Sequence, residues 1–162
     1  MNTGFDIFKS PIGPIHVVVG EKGVKAVVLT EEHWTEYRKK QGEIPQDKKL
    51  CSAAISQLEE YFAGSRREFT VPLAIEGTDF CKKVWNALLS IPYGETRTYS
   101  DISKAVGSPK AHRAVGQANR ANPLPIFIPC HRVLGKDSAL TGYMGKNGIK
   151  IKECLLKLEN YL

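Results

Sequence analysis

The residues of this chain best suited to covalent chemistry stand together in "PLPIFIPCHRVLG", residues 123–135, where an apolar run ends at Cys130 and is followed at once by His131 and Arg132. A cysteine sulfur becomes a strong nucleophile as the thiolate, which a nearby base or positive charge favours. His131 and Arg132 are candidates for both. In extended chain consecutive side chains point to opposite sides, so His131 reaches the sulfur only if the chain turns here or a water carries the proton. Local spacing therefore leaves two readings of Cys130 open, a reactive thiolate and a buried structural thiol. A papain-like site would need its own cysteine signature and a distant histidine, neither of which is visible. In a phosphatase loop the arginine would stand where this chain has Lys136.

The other three cysteines, Cys51, Cys81 and Cys154, form no CxxC pair and have no HxxxH partner, which suits neither a zinc site nor a small disulfide scaffold. Free thiols in a reducing compartment are the expectation, with no metal. At 162 residues, 42% hydrophobic and 25% charged, the composition is that of a soluble globular protein of one or two domains. No apolar run approaches the roughly 20 residues that cross a bilayer, and a cytoplasmic location is expected. The net charge of +6 is uneven: residues 1–77 carry ten basic and eleven acidic side chains, residues 78–162 thirteen and six. The basic half makes a polyanion a plausible partner, since phosphate contacts supply most non-specific nucleic-acid affinity.

The first half, residues 1–77, reads as a small sheet with a helix. "GPIHVVVG" and "VKAVVLT" are β-branched runs joined by "EKG", a hairpin turn. "CSAAISQLEEYFAG" sets Ile55, Leu58 and Phe62 on one helical face and stops at Gly64, and "REFTVPL" alternates like a further strand.

From residue 78 the signals are mostly helical. Thr78 caps a helix whose stripe is Cys81, Val84, Trp85, Leu88 and Leu89, ending at "IPYGE". Thr98 and Asp101 resemble a capping box at the start of a short helix that ends at Gly107. Ser108 and Pro109 suit the start of the next, "PKAHRAVGQANRANP", and the pair reads as a helix-turn-helix. The second helix is rich in small residues (Ala111, Ala114, Gly116, Ala118, Ala121) with Lys110, Arg113 and Arg120 among them. Small residues suit either close approach to a groove wall or tight packing on a neighbouring helix. Prolines at 125 and 129 bracket "IFI", a short extended segment leading to Cys130. "SALTGYMGKNG" is loop-like, and the last helix carries Ile151, Leu155 and Leu158 on its apolar side with Cys154 beside them as a structural residue.

"IPCHRV", preceded by "RAVGQANRANPLPI" and followed by "TGY", strongly resembles the O6-alkylguanine-DNA alkyltransferases of the bacterial Ogt type. The likeness covers residues 78–162 with ordered motifs and extends more loosely through "EEYFAGSRREFTVPL". It implies an α+β protein, in which a small sheet-plus-helix support domain (1–77) precedes a mostly helical, winged-helix-like domain with a helix-turn-helix (78–162). It also implies an activity: irreversible, single-turnover transfer of an alkyl group from O6-alkylguanine, and from O4-alkylthymine, in double-stranded DNA to a cysteine, with no cofactor and in a monomer, with cooperative binding along DNA left open.

Carried over by residue, the resemblance makes Cys130 the acceptor, His131 its base through a bound water, and Glu159 the group that orients the histidine. Tyr99 matches the tyrosine that protonates the departing guanine. Arg113 matches an arginine finger that fills the stack when the nucleotide is rotated out. Lys110, Ala114, Gln117 and Arg120 share its DNA-facing segment, which enters the minor groove. Asn122 matches a hinge asparagine between this helix and the cysteine segment. Backbone groups of Cys130 and Val133, the loop at Tyr143 and Met144, and the nearby Lys152 match the base pocket. The sequence departs from the family at Lys146 and Asn147, where two glycines are common, and at Asn119, where some relatives have an apolar pocket residue. Both bear on the alkyl size tolerated. Two other readings compete: a damage sensor of the same fold, whose known examples typically lack the cysteine, and a helix-turn-helix regulator, which leaves Tyr99, His131 and Glu159 without a shared purpose.

Overall fold

The computed structural model describes residues 2–136, 140 and 148–162. These divide into two compact units, Met1–Ile75 and Glu76–Leu162, and the architecture is α+β, as expected.

In the first unit, strands β1 (Gly4–Ser10), β2 (Gly13–Gly20) and β3 (Gly23–Val28) form an antiparallel sheet in that order. The β2–β3 hairpin falls where "EKG" placed it, with Gly23 at φ 132°. β1 escapes the alternation test, because only Gly4 in it is buried. Helix α1 (Glu31–Gln41) also escapes it: it buries a single residue, Trp34. That tryptophan packs with Val18, Ala26 and Val28 and stacks on His16, and local chemistry adds to it through the Thr30 cap, which accepts from the His33 amide, and through acidic residues at the start of α1 and basic ones at its end. Helix α2 (Lys48–Phe62) packs on β1 and β2 and buries Cys51, Ala54, Leu58 and Tyr61. Its inward face is thus turned from the expected one, and Ile55 and Phe62 are only half-buried.

"REFTVPL" is not a strand. The Gln57 side chain accepts from the Thr70 amide at 2.9 Å, and Pro72 has no amide to give, so pairing with β3 shrinks to a single parallel bridge, Val24 with Leu73.

The second unit opens with α3 (Asp79–Leu89), capped by Thr78 as its sequence indicates. Leu89 is exposed rather than part of the buried stripe, which is Val84, Trp85 and Leu88. Strand β4 (Arg97–Thr98) leads into α4 (Tyr99–Ala105), whose start carries the full Thr98–Asp101 capping box. Helix α5 is His112–Arg120. It does not start at Ser108: Pro109 and Lys110 sit in a turn closed by the Ala111 amide on the Ser108 carbonyl, and Ala111 caps α5 without a side-chain bond. Strand β5 (Val133–Leu134) pairs parallel with β4, and α6 (Gly148–Leu158) follows. Cys154 lies on the exposed side of α6, so it is not a packing residue. Among the described residues no helix is long and apolar enough to cross a membrane.

The candidate alkyl-acceptor site

Residues 123–129 are not extended. Ile126 takes φ 77°, the Ile128 amide donates to the Leu124 carbonyl at 2.8 Å, and Pro125 bridges Ile128, so the chain folds back on itself. A left-handed β-branched residue costs on the order of 1–2 kcal/mol, which burial of Leu124, Ile126, Phe127 and Ile128 offsets. Asn122 secures the loop from below: its Nδ2 donates to the Ile128 carbonyl at 2.9 Å and its Oδ1 accepts from the Leu124 amide at 2.9 Å.

The reversal delivers Cys130, His131 and Arg132 as one turn of 3-10 helix. In this turn the three side chains fan around the helix axis instead of alternating about a strand, which leaves room for a water between the sulfur and the imidazole. Cys130 is only 3% exposed, which shields the sulfur from adventitious oxidants. Its main chain is fully engaged, with the amide donating to Ile128 at 2.7 Å and the carbonyl accepting from Val133 and from Asn119 Nδ2.

Glu159 reaches the same point from the end of α6. The Asn160 and Tyr161 amides donate to the Lys157 and Leu156 carbonyls, with Asn160 at φ 62°, so a Schellman-type stop ends the helix at Glu159. Its carboxylate accepts from His131 Nε2 at 2.7 Å, Arg132 Nε at 2.8 Å and Arg132 Nη2 at 3.0 Å, and more weakly from the Gly94 amide at 3.4 Å. Arg132 Nη1 also donates to the Ile91 carbonyl at 2.7 Å, tying the cluster to the end of α3. Burial by itself would push the Glu159 carboxyl up, but the hydrogen bonds from His131 and Arg132, with the charge of the Arg132 guanidinium, outweigh it and hold it well below the usual carboxylate range. Burial also lowers His131, against the opposing pull of Glu159, so the imidazole is neutral at pH 7. With Nε2–H given to an ionised carboxylate, the lone pair lies on Nδ1, which is buried and has no hydrogen-bond partner among the described residues. A neutral imidazole with its acceptor nitrogen free is a base.

Lys152, fully buried on α6, donates from Nζ to the Val133 carbonyl and stands 6.0 Å from the centre of the Tyr99 ring. Burial brings its pKa down to about 8, partly opposed by the negative charge that Cys130 can carry. The β4–β5 pairing, Arg97 with Val133 and Thr98 with Leu134, brings the start of α4 beside the strand that leaves the cysteine turn. Tyr99, half-buried, is the first residue of that helix.

Because the folded protein holds Lys152 below its ordinary 10.5, it binds fewer protons than the unfolded chain between pH 8 and 10.5, and stability rises with pH across that window. Urea unfolding should show wild type gaining on Lys152→Met by up to about 3 kcal/mol over this range. A pH-independent difference would mean that the ammonium is solvated.

On α5, Val115, Ala118 and Asn119 face inward, and the Ala118 carbonyl accepts from Trp85 Nε1 at 2.9 Å. Arg113, Ala114, Gln117 and Arg120 are exposed, as is Lys110 in the preceding turn. The small residues therefore divide between the two readings left open: Ala118 packs, whereas Ala114 and Ala121 face solvent and a side chain at Gly116 would meet open space. Tyr143 and Met144 lie outside the described residues. The sequence did not single out Arg132 as a carboxylate clamp or Asn119 as a partner of the cysteine. Their partners lie 27 and 11 positions away, and no spacing rule links them. Among the described residues no cluster of three or more His, Cys, Asp or Glu is arranged to hold a metal.

Comparison with known proteins agrees over both units. Residues 79–161 match the family model described as 6-O-methylguanine DNA methyltransferase, DNA binding domain, and residues 5–75 the ribonuclease-like domain of the same family. A methylated-DNA–protein-cysteine methyltransferase of Methanosarcina barkeri is 52% identical over 159 residues, 96% of each chain. The constitutive enzyme of Bacillus subtilis is 49% identical over 93% of this chain and 92% of its own. A crystal structure of Mycobacterium tuberculosis OGT in complex with DNA superposes with a TM-score of 0.85 at 43% identity, covering 96% of this chain and 92% of that one. With a cysteine set beside a neutral, carboxylate-backed histidine in the unit that matches the DNA-binding half, the chain belongs to the 6-O-methylguanine DNA methyltransferase family.

Proposed function

We propose that this protein repairs double-stranded DNA directly, moving the alkyl group of O6-alkylguanine, and of O4-alkylthymine, irreversibly to Cys130, once per molecule. The observation that carries the reading is the cysteine turn, in which Cys130 adjoins a neutral His131 whose Nε2 is committed to an ionised Glu159. His131 takes the thiol proton at Nδ1 through a water, the thiolate attacks the alkyl carbon, a C–S bond forms and the C–O bond breaks. The electron pair leaves on the guanine, which Tyr99 protonates, and the thiol proton restores the tyrosine by way of the histidine. No group beyond protein and DNA is needed for the balance. The Lys152 ammonium favours the thiolate by charge.

The target atom is hidden in a duplex, so the nucleotide is rotated out, with Arg113 filling the gap. Lys110, Ala114, Gln117 and Arg120, all exposed on the same stretch, support a docking face for the minor groove, where close approach matters more than base reading. Asn122, through its two bonds to the loop, is the hinge beneath the acceptor turn. Backbone groups of Val133 and Cys130 take part in holding the flipped base, a role that the sequence resemblance extends to Tyr143 and Met144. Residues 78–162 carry out binding and transfer in a cytoplasmic monomer, and residues 1–77 support them.

The test is mass spectrometry after incubation with a duplex containing O6-methylguanine. The peptide bearing Cys130 should gain one methyl group in place of its thiol hydrogen, with one equivalent of lesion consumed. An unchanged mass, or label on the exposed Cys154, would sink the proposal.

A further inference from the structure

The buried amide of Asn119 has no role in the reaction described above, and its cost in stability calls for one. It is 1% exposed on the inward side of α5, and its Nδ2 donates to the Cys130 carbonyl at 3.3 Å. The orientation of the amide is fixed by chemistry, because a carbonyl can only accept and the nitrogen must face it. Its Oδ1 is left buried with no hydrogen-bond partner among the described residues. A buried acceptor without a donor is costly, and an apolar side chain of the same shape would fill this place at lower cost. Packing alone therefore does not account for an asparagine here.

What the amide does is join two parts with different tasks. Arg113, Ala114, Gln117 and Arg120 occupy the outer face of α5, and Asn119 points from the same short helix to the main chain of the nucleophile. Asn122 makes a separate tie two residues earlier in the loop, at the Ile128 carbonyl, and does not bond to Cys130 itself. We infer that Asn119 is a positioning residue that fixes the Cys130 turn to the DNA-docking helix, so that docking of α5 and in-line placement of the sulfur are one rigid event. The inference rests on the proposed reading of α5 as the docking face. In-line attack tolerates little displacement of the sulfur, so a turn free to shift against the docked helix slows transfer from a lesion in DNA. A small free substrate settles its own position against the turn and is affected less.

The experiment compares wild type with Asn119→Leu, measuring the methyl-transfer rate at saturating O6-methylguanine duplex, the duplex dissociation constant and the rate with free O6-benzylguanine. The ratio of duplex rate to free-base rate should fall about tenfold, the loss expected for one hydrogen bond. The dissociation constant should move less than twofold, and the melting temperature should hold or rise because the unpaired Oδ1 is gone. If Asn119→Leu does not fold, Asn119→Ala is held to the same ratio. Equal slowing with both substrates, an unchanged ratio, or a loss confined to binding would overturn the inference. A wild-type protein inert toward the duplex would instead overturn the proposed function, and this inference with it.

Discussion

Replacing Arg132 by methionine should destabilise the protein by about 3–5 kcal/mol, the usual consequence of removing one partner from a buried ion pair. Arg132 gives Glu159 two of its short hydrogen bonds, and both groups are buried. Without the guanidinium the carboxylate keeps His131 and the distant Gly94 amide, too little to hold it ionised in a dry site, and its pKa rises. His131 then loses the anion that fixes its tautomer, so alkyl transfer should fall along with stability. The double variant Arg132→Met, Glu159→Gln separates the causes: with no orphaned charge it should be more stable than Arg132→Met alone, yet still slow in transfer. Urea unfolding measures the first effect and single-turnover methylation the second. An Arg132→Met protein within about 1 kcal/mol of wild type would show that the clamp is not needed to keep Glu159 charged.

Arg113→Ala should slow reaction with a duplex lesion by one to two orders of magnitude, because rotating a base out of the stack costs a few kcal/mol and the side chain proposed to fill the gap would be missing. Reaction with free O6-benzylguanine needs no rotation and should fall much less. Arg113 is exposed on α5, away from the inward face formed by Val115, Ala118 and Asn119, so a folding defect is not expected. Parallel loss on both substrates would remove Arg113 from the flipping role. A loss confined to affinity would make it a phosphate contact, which salt dependence would reveal.

Much of the frame was legible along the chain wherever the signal is local. Thr78 and the Thr98–Asp101 box mark two helix starts, and each reappears with its cap bond formed, because a cap is settled within four residues. The β2–β3 hairpin was legible for the same reason. Reading failed where a distant partner or proline overrode local pattern. "REFTVPL" alternates, yet Gln57 takes the amides of Thr70 and, more weakly, Val71, and Pro72 has none. "IFI" has β-branched residues, yet Asn122 and the buried loop force Ile126 into the left-handed region. Ser108 and Pro109 look like a helix start, yet they open a turn that the Ala111 amide closes, and Ala111 is itself the cap of α5.

The sequence by itself determined the residue types of the site and their order, and with them the family resemblance: Tyr99, Arg113, Asn122, Cys130, His131 and Glu159 are recognisable without coordinates. It did not determine the state in which those residues work. That His131 is neutral, that Glu159 is ionised, that Arg132 rather than solvent balances it, and that Lys152 lies buried near the sulfur are all consequences of burial. Desolvation and charge pairing act through space at a few ångströms, whereas the groups concerned are 27 or more positions apart for the Glu159 pairs and 22 for Cys130 and Lys152. The tertiary fold decided that chemistry when it closed the α6 terminus, the cysteine turn and the end of α3 on one another.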